Sequence, residues 1–291
     1  METNNTKQNQ MNQTFDFSRW GMLVAMHWTE NRKRYLLAML AMGGLIAGWY
    51  SFLLVMNKFG PLNIFEQYAT YYSGLFFVGC LYASTIFSEL SGKAQGIHYL
   101  SIPASHLEKL LCGILFGVVL FFIAYTIIFY IVDIPLVNMA NHIIKKEHQH
   151  WPGTTQPIEN IVVLNLWNNS WAPIPDKKYH LLLVGYFAIQ SAFLLGSVYF
   201  TRYSFIKTIV GLLLFWLVFL LFVVKGVEEH LPSGWRPYDL VQWIHYTKDT
   251  AQLELVRLPG WMENGLILLI QFSIPWVFWF IAYFRLKEKE V

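Results

Sequence analysis

Long apolar runs separated by polar connectors set the pattern of this chain. Six stretches stay apolar for roughly the 20 residues that a helix needs to cross a bilayer: 35–56, 71–87, 110–132, 181–200, 208–224 and 265–284. Each predicts an α-helix, because hydrocarbon offers the backbone no hydrogen-bond partner and only internally bonded segments cross it. The pattern predicts an all-α membrane protein with six transmembrane helices, an N-terminal interfacial helix and cytoplasmic termini.

The polar connectors are uneven. Residues 1–14 are rich in Asn and Gln and read as a disordered cytoplasmic tail without the features of a signal peptide. Residues 15–34 follow a different rule. Phe17, Trp20, Val24 and Trp28 fall on one helical face, with Asp16, Arg19, Glu30 and the cluster Arg32–Arg34 at its edges. This predicts an interfacial connecting helix ahead of the membrane domain, 35–291. Extension of the first span is the alternative.

The connector between the second and third stretches carries the clearest local signals. Pro103 stops any helix before it. Ser105 and Glu108 have the spacing of a capping box, so the next helix is expected to start near His106. The residues before Pro103 predict a short helix that offers Ile97, Tyr99, Leu100 and Ile102 as apolar contacts, the kind of surface on which a partner docks.

Composition agrees with the span pattern. Of 291 residues 55% are hydrophobic and only 13% charged, against about a quarter in soluble domains. Twelve Trp are suited to the headgroup level of a bilayer. Lys and Arg set the orientation. Arg19, Arg32, Lys33, Arg34, Lys93, Lys109, Arg202, Lys207, Arg285, Lys287 and Lys289 fall on one side of a six-span chain, which becomes the cytoplasmic side of the cell (inner) membrane. Two long loops then lie outside, 133–180 and 225–264. The second has Trp beside Pro and Gly (Pro232, Gly234, Trp235, Pro237, Pro259, Gly260, Trp261) and is expected to hold short interfacial helices or a helical hairpin. A net charge of +3 with no basic stripe indicates no nucleic-acid partner.

Candidate chemistry is sparse. Cys80 and Cys112 read as small buried hydrophobes. His142, Glu147, His148 and His150 match no metal-binding spacing, so no metal and no cofactor is expected. Glu228-Glu229-His230 lies at a loop start, and no Gly-x-Ser-x-Gly occurs, which disfavours an intramembrane protease. No phosphate loop of the Gly-x-x-x-x-Gly-Lys-Ser/Thr type is present, so the chain is not expected to be an enzyme that hydrolyses ATP. Glu89, Lys109, Asp133 and Lys225 are placed at span ends, where side chains reach water, which argues against a proton-driven carrier. Gln190, Gln271 and Ser273 read as helix–helix hydrogen-bond partners. Pro275 is expected to kink the sixth span.

The run from Phe87-Ser-Glu-Leu through Tyr99-Leu-Ser-Ile-Pro-Ala-Ser-His-Leu-Glu-Lys109, with Asn31-Arg-Lys-Arg-Tyr-Leu-Leu before the first span, resembles membrane subunits of type 2 ATP-binding-cassette (ABC) transporters, especially small permease-like proteins of Bacteroidota. The motifs cover the first 110 residues; beyond them the likeness is one of span count and loop placement. The resemblance implies a connecting helix over 15–32 and a coupling element over 89–105. Glu89, Ile97, Tyr99, Leu100, Pro103, Ser105 and Glu108 would form the ATPase-coupling surface. It further implies a separate cytoplasmic ABC ATPase, a second permease copy or paralogue, and export as the activity. The long loop 133–180 departs from the compact pattern and keeps a second expectation open, a non-transporting membrane sensor or assembly factor.

Overall fold

The computed structural model describes residues 15–56, 64–150, 163–164, 179–228, 243–245, 254–256 and 260–289, nearly all of them helical. Helix α1 is Phe17–Met56 and α2 is Ile64–Ala83. A 3-10 turn, Ser88–Ser91, and a short helix, α3 (Lys93–Ser101), lead to α4, His106–Ile114. Helix α4 passes through a π-helical stretch, Leu115–Leu120, into α5, Phe121–His150. Then follow α6 (Tyr179–Tyr199), α7 (Ser204–Glu228) and α8 (Gly260–Glu288). Two short antiparallel strands, β1 (Trp243–His245) and β2 (Glu254–Val256), pair between α7 and α8. Of the loop expected there, 225–228 and 260–264 continue the flanking helices and 243–245 pairs with 254–256 as strands; the expected helical hairpin otherwise falls on 229–242, 246–253 and 257–259, outside the described residues, as do the N-terminal tail, 151–162 and 165–178.

Helices α1, α2, joined α4–α5, α6 and α7 are long and apolar enough to cross a membrane, five in all among the described residues. Helix α8 covers the sixth expected stretch and continues through Pro275. Two boundaries differ from the sequence reading. The connecting helix and first span are one uninterrupted helix of 40 residues, about 60 Å long. The basic cluster at 32–34 does not end it, because Arg and Lys are good helix formers. The third span also fails to stop at Val132. It runs through Pro135 to His150, so the first part of the expected external loop is helix. Proline leaves the Ile131 carbonyl without its usual helical donor, a defect that helix bundles tolerate.

Helix α6 lies at the centre, packed against α2, α7 and α8, while α1 lies along α4 and α5. Close approach needs small residues, and glycines supply it. A side chain at Gly79 would collide with Gln190, and one at Gly196 with Thr208. With its amide turned to satisfy both ends, Gln190 donates to the Gly79 carbonyl at 2.9 Å and accepts from the Cys80 N–H at 3.1 Å, tying α6 to α2. Tyrosines tie α2 to α5: Tyr125 donates to the Tyr71 carbonyl at 3.0 Å, and the Tyr71 hydroxyl meets Thr126 at 2.9 Å. Helix α7 is bare over most of its surface, with Leu213 through Phe222 exposed. A helix apolar on every side suits lipid.

The bundle has two distinct ends. One gathers the start of α1, the α2–α4 connection, the end of α6 and the start of α7, where Ser84, Ser88, Ser197 and Ser204 line a cleft of about 320 Å³. The last turns of α8 join it, with Arg285 over the Tyr199 ring at 4.6 Å. Tyr50, Asp133 and Leu164 are buried toward the other end.

Candidate functional site

The charged groups of the first end are built around one side chain, Glu108. Helix α4 starts at His106, as its sequence requires. Ser105 is its N-cap, its hydroxyl accepts from the Glu108 N–H at 3.2 Å, and the Glu108 carboxylate accepts from the Ser105 N–H at 2.8 Å. Both halves of the capping box are therefore formed.

Helix α1 starts by a parallel device. Its N-cap is Asp16, whose carboxylate accepts from the Ser18 N–H at 2.9 Å. The backbone N–H of Asp16 itself donates to Glu108 at 2.8 Å. One carboxylate thus receives the cap N–H of two helices that begin 89 residues apart, and the positive ends of both helix dipoles converge on it. Arg19, one turn into α1, completes the cluster. Its Nε donates at 2.8 and 3.1 Å and its terminal nitrogen at 2.6 Å. Glu108 is fully buried, while Arg19 keeps 30% of its side chain exposed. Burial alone pushes the Glu108 carboxyl up, but Arg19 and the two backbone donors outweigh it and hold the group below the usual carboxylate range.

Apolar contacts surround this joint. Leu23 and Val24 of α1 lie against Cys112, Phe116, Ile102 and Ala104. His27 bonds the Tyr35 hydroxyl at 2.7 Å, and both rings lie against Phe116. Of the expected interfacial face, Phe17 and Trp28 are exposed, whereas Trp20 and Val24 are partly covered.

The chain matches no family model, no curated protein and no solved structure.

The coupling residues expected from sequence separate into two groups. Ile97, 71% exposed, faces outward from α3, and Glu89 and Pro103 are exposed on either side of that helix. Ser105, Glu108 and Tyr99 face inward. Tyr99 is half-buried against Phe87, and Lys109, almost wholly buried, places its ammonium 5.8 Å from the Tyr99 ring. Lys109 therefore does not reach water as expected. Leu100 belongs to α3, but its side chain lies outside the described ones. Beneath α3, His27, Glu30, Glu89 and His98 line a narrow cleft between α1, α3 and α4.

Arg19 and Asp16 have partners in the structure that sequence reasoning did not find. They were expected as the polar edges of an interfacial helix and instead form the partner half of the Glu108 cluster. Asp16 as an N-cap was legible; its pairing with a residue 92 positions away was not.

Asp133 is a second departure. Expected at a span end in reach of water, it is fully buried within α5. The placement of this carboxyl at a span end in reach of water fails there.

Proposed function

We propose that this chain is the membrane-spanning subunit of an ABC exporter in the inner membrane, paired with a second permease copy and driven by separate ATPase subunits docked on α3 and its flanks. In this reading α8 is the sixth span, and both termini lie in the cytoplasm with α3. The gathering of the start of α1, the α2–α4 connection and the end of α8 at one end of the bundle supports that topology.

One observation carries the reading: Glu108, in the first turn after the short helix α3 and its Pro103 turn, fastens the start of α4 to the start of α1 through a buried ionic joint. A force on Ile97 or Glu89 would pass through the capped turn at Ser105 into α4, and through Arg19 and Asp16 into α1. A connector that merely joined two spans would have no need of a buried ionic joint.

The test is co-expression of the tagged protein with the ATPase encoded beside it. Co-purification, and ATPase activity that Ile97→Asp and Glu89→Lys lower at least several-fold, are the expected results. Absence of any neighbouring ATPase gene, or activity untouched by both variants, favours a non-transporting sensor or assembly factor. Cysteines at Arg202 and Arg285 should be labelled from the same, cytoplasmic side.

A further inference from the structure

Asp133 is fully buried, yet neither of its carboxyl oxygens reaches hydrogen-bond geometry with any described residue. Tyr50, from α1, is equally buried, and its hydroxyl has no hydrogen-bond partner either. The two groups face one another across the α1–α5 interface, and the Leu164 backbone N–H faces the carboxyl from the third side. The surroundings are apolar or aromatic. Tyr50 meets Phe129 edge-on at 6.0 Å, Phe129 meets Tyr71 at 4.9 Å, and Val137, Ala140 and Leu164 belong to the same buried cluster. The titratable groups facing the pair are tyrosines, Asp133 acting on Tyr50 together with Tyr125; no Lys, Arg or His among the described residues acts on the carboxyl.

An ionised carboxylate in such a place carries a large desolvation penalty unless a counter-charge or several donors offset it. Glu108 has both; among the described residues Asp133 has no counter-charge, and the two donors that face it stand outside hydrogen-bond geometry. The stable occupant of the site is therefore a carboxyl with its proton attached. Ionisable side chains held inside a membrane bundle are also where proton pathways form.

We propose that Asp133 and Tyr50 form a proton-binding site at the end of the bundle opposite α3. Asp133 carries the proton while α1 and α5 are closed on each other. When they part and water enters, the carboxyl O–H bond breaks, its electron pair stays on Asp133 and the proton goes to water. The Tyr50 hydroxyl then turns to donate to the new carboxylate. The site does not depend on an ATPase partner and stands or falls separately from the transporter reading.

The test is infrared difference spectroscopy of the full-length protein in phosphatidylcholine nanodiscs, wild type against Asp133→Asn. At pH 7 the difference should contain the carbonyl-stretch band of a protonated carboxyl, and that band should vanish as pH is raised further. Tyr50→Phe removes the donor that stabilises the carboxylate, so it should move the midpoint of that loss to higher pH. Absence of the band at pH 7 overturns the proposal, and an unmoved midpoint in Tyr50→Phe overturns the pairing. Asparagine has the shape of the neutral acid, so failure of Asp133→Asn to fold would count against the site as well.

Discussion

Glu108 and Asp133 are both fully buried carboxyls on the same continuous run of helix, and their surroundings are opposite. Around Glu108 converge a guanidinium, two cap N–H groups and two helix starts. Around Asp133 stand a hydroxyl and an N–H that face it without bonding it. The first is a fixed charge that binds two helix starts together. The second is a group that avoids charge, and so is free to change state. Burial alone therefore says little about what a carboxyl does; the donors that come with it decide.

The comparison breaks most visibly at Glu108→Ala. This removes the carboxylate, strips the cap N–H of two helices and leaves Arg19 half-housed. A loss of about 3 kcal/mol is expected. Hydrogen exchange should rise at residues 16–20 and 105–109 together; loosening of only one segment would show that the joint does not couple them. Arg19→Lys keeps the charge but loses the fork, and should lower stability by about 1–2 kcal/mol in tryptophan-fluorescence unfolding.

Acid sharpens the comparison. Because the Glu108 carboxyl is held below its ordinary value, its contribution is present above the unfolded carboxylate range and fades as pH falls through the lowered value. Exchange at the start of α1 should therefore stay slow at pH 5 and rise only below about pH 4. At the proposed site the sign is opposite: the proton assigned to Asp133 would leave on rising pH. The smallest effect is expected of Asp133→Asn, which should change stability by less than about 0.5 kcal/mol at pH 7. A large loss there would mean that the carboxyl is ionised and paired after all.

Local signals survived the step from sequence to structure better than long-range ones. The capping box at Ser105 and Glu108, the helix before Pro103 and the start at His106 all depend on neighbours within a turn, and all appear where the residues require them. Boundaries set at charged residues did not. The cluster Arg32–Arg34 marks a change of surroundings rather than the end of a helix, and Pro135 is carried inside a bundle that supports the helix on both sides of it. Glu108 was legible as half of a cap. Its burial and its pairing with Arg19 arise from packing between segments 89 residues apart, which no window along the chain contains. Asp133 was misread because the third span was ended at Val132, whereas the helix runs on through Pro135 to His150.

The π-helical stretch at Leu115–Leu120 lies between those two carboxyls, one residue fuller than the α-helix on either side. The wider turn absorbs that residue, so deleting one residue there would restore regular winding with the two halves still nearly in phase. Tightening the stretch to α winding with no residue removed would instead turn everything beyond it by about 100°, leaving Ser105 and Glu108 seated while Asp133 swung away from Tyr50. The loose turn is the shim that sets the angle between the two halves of the rod.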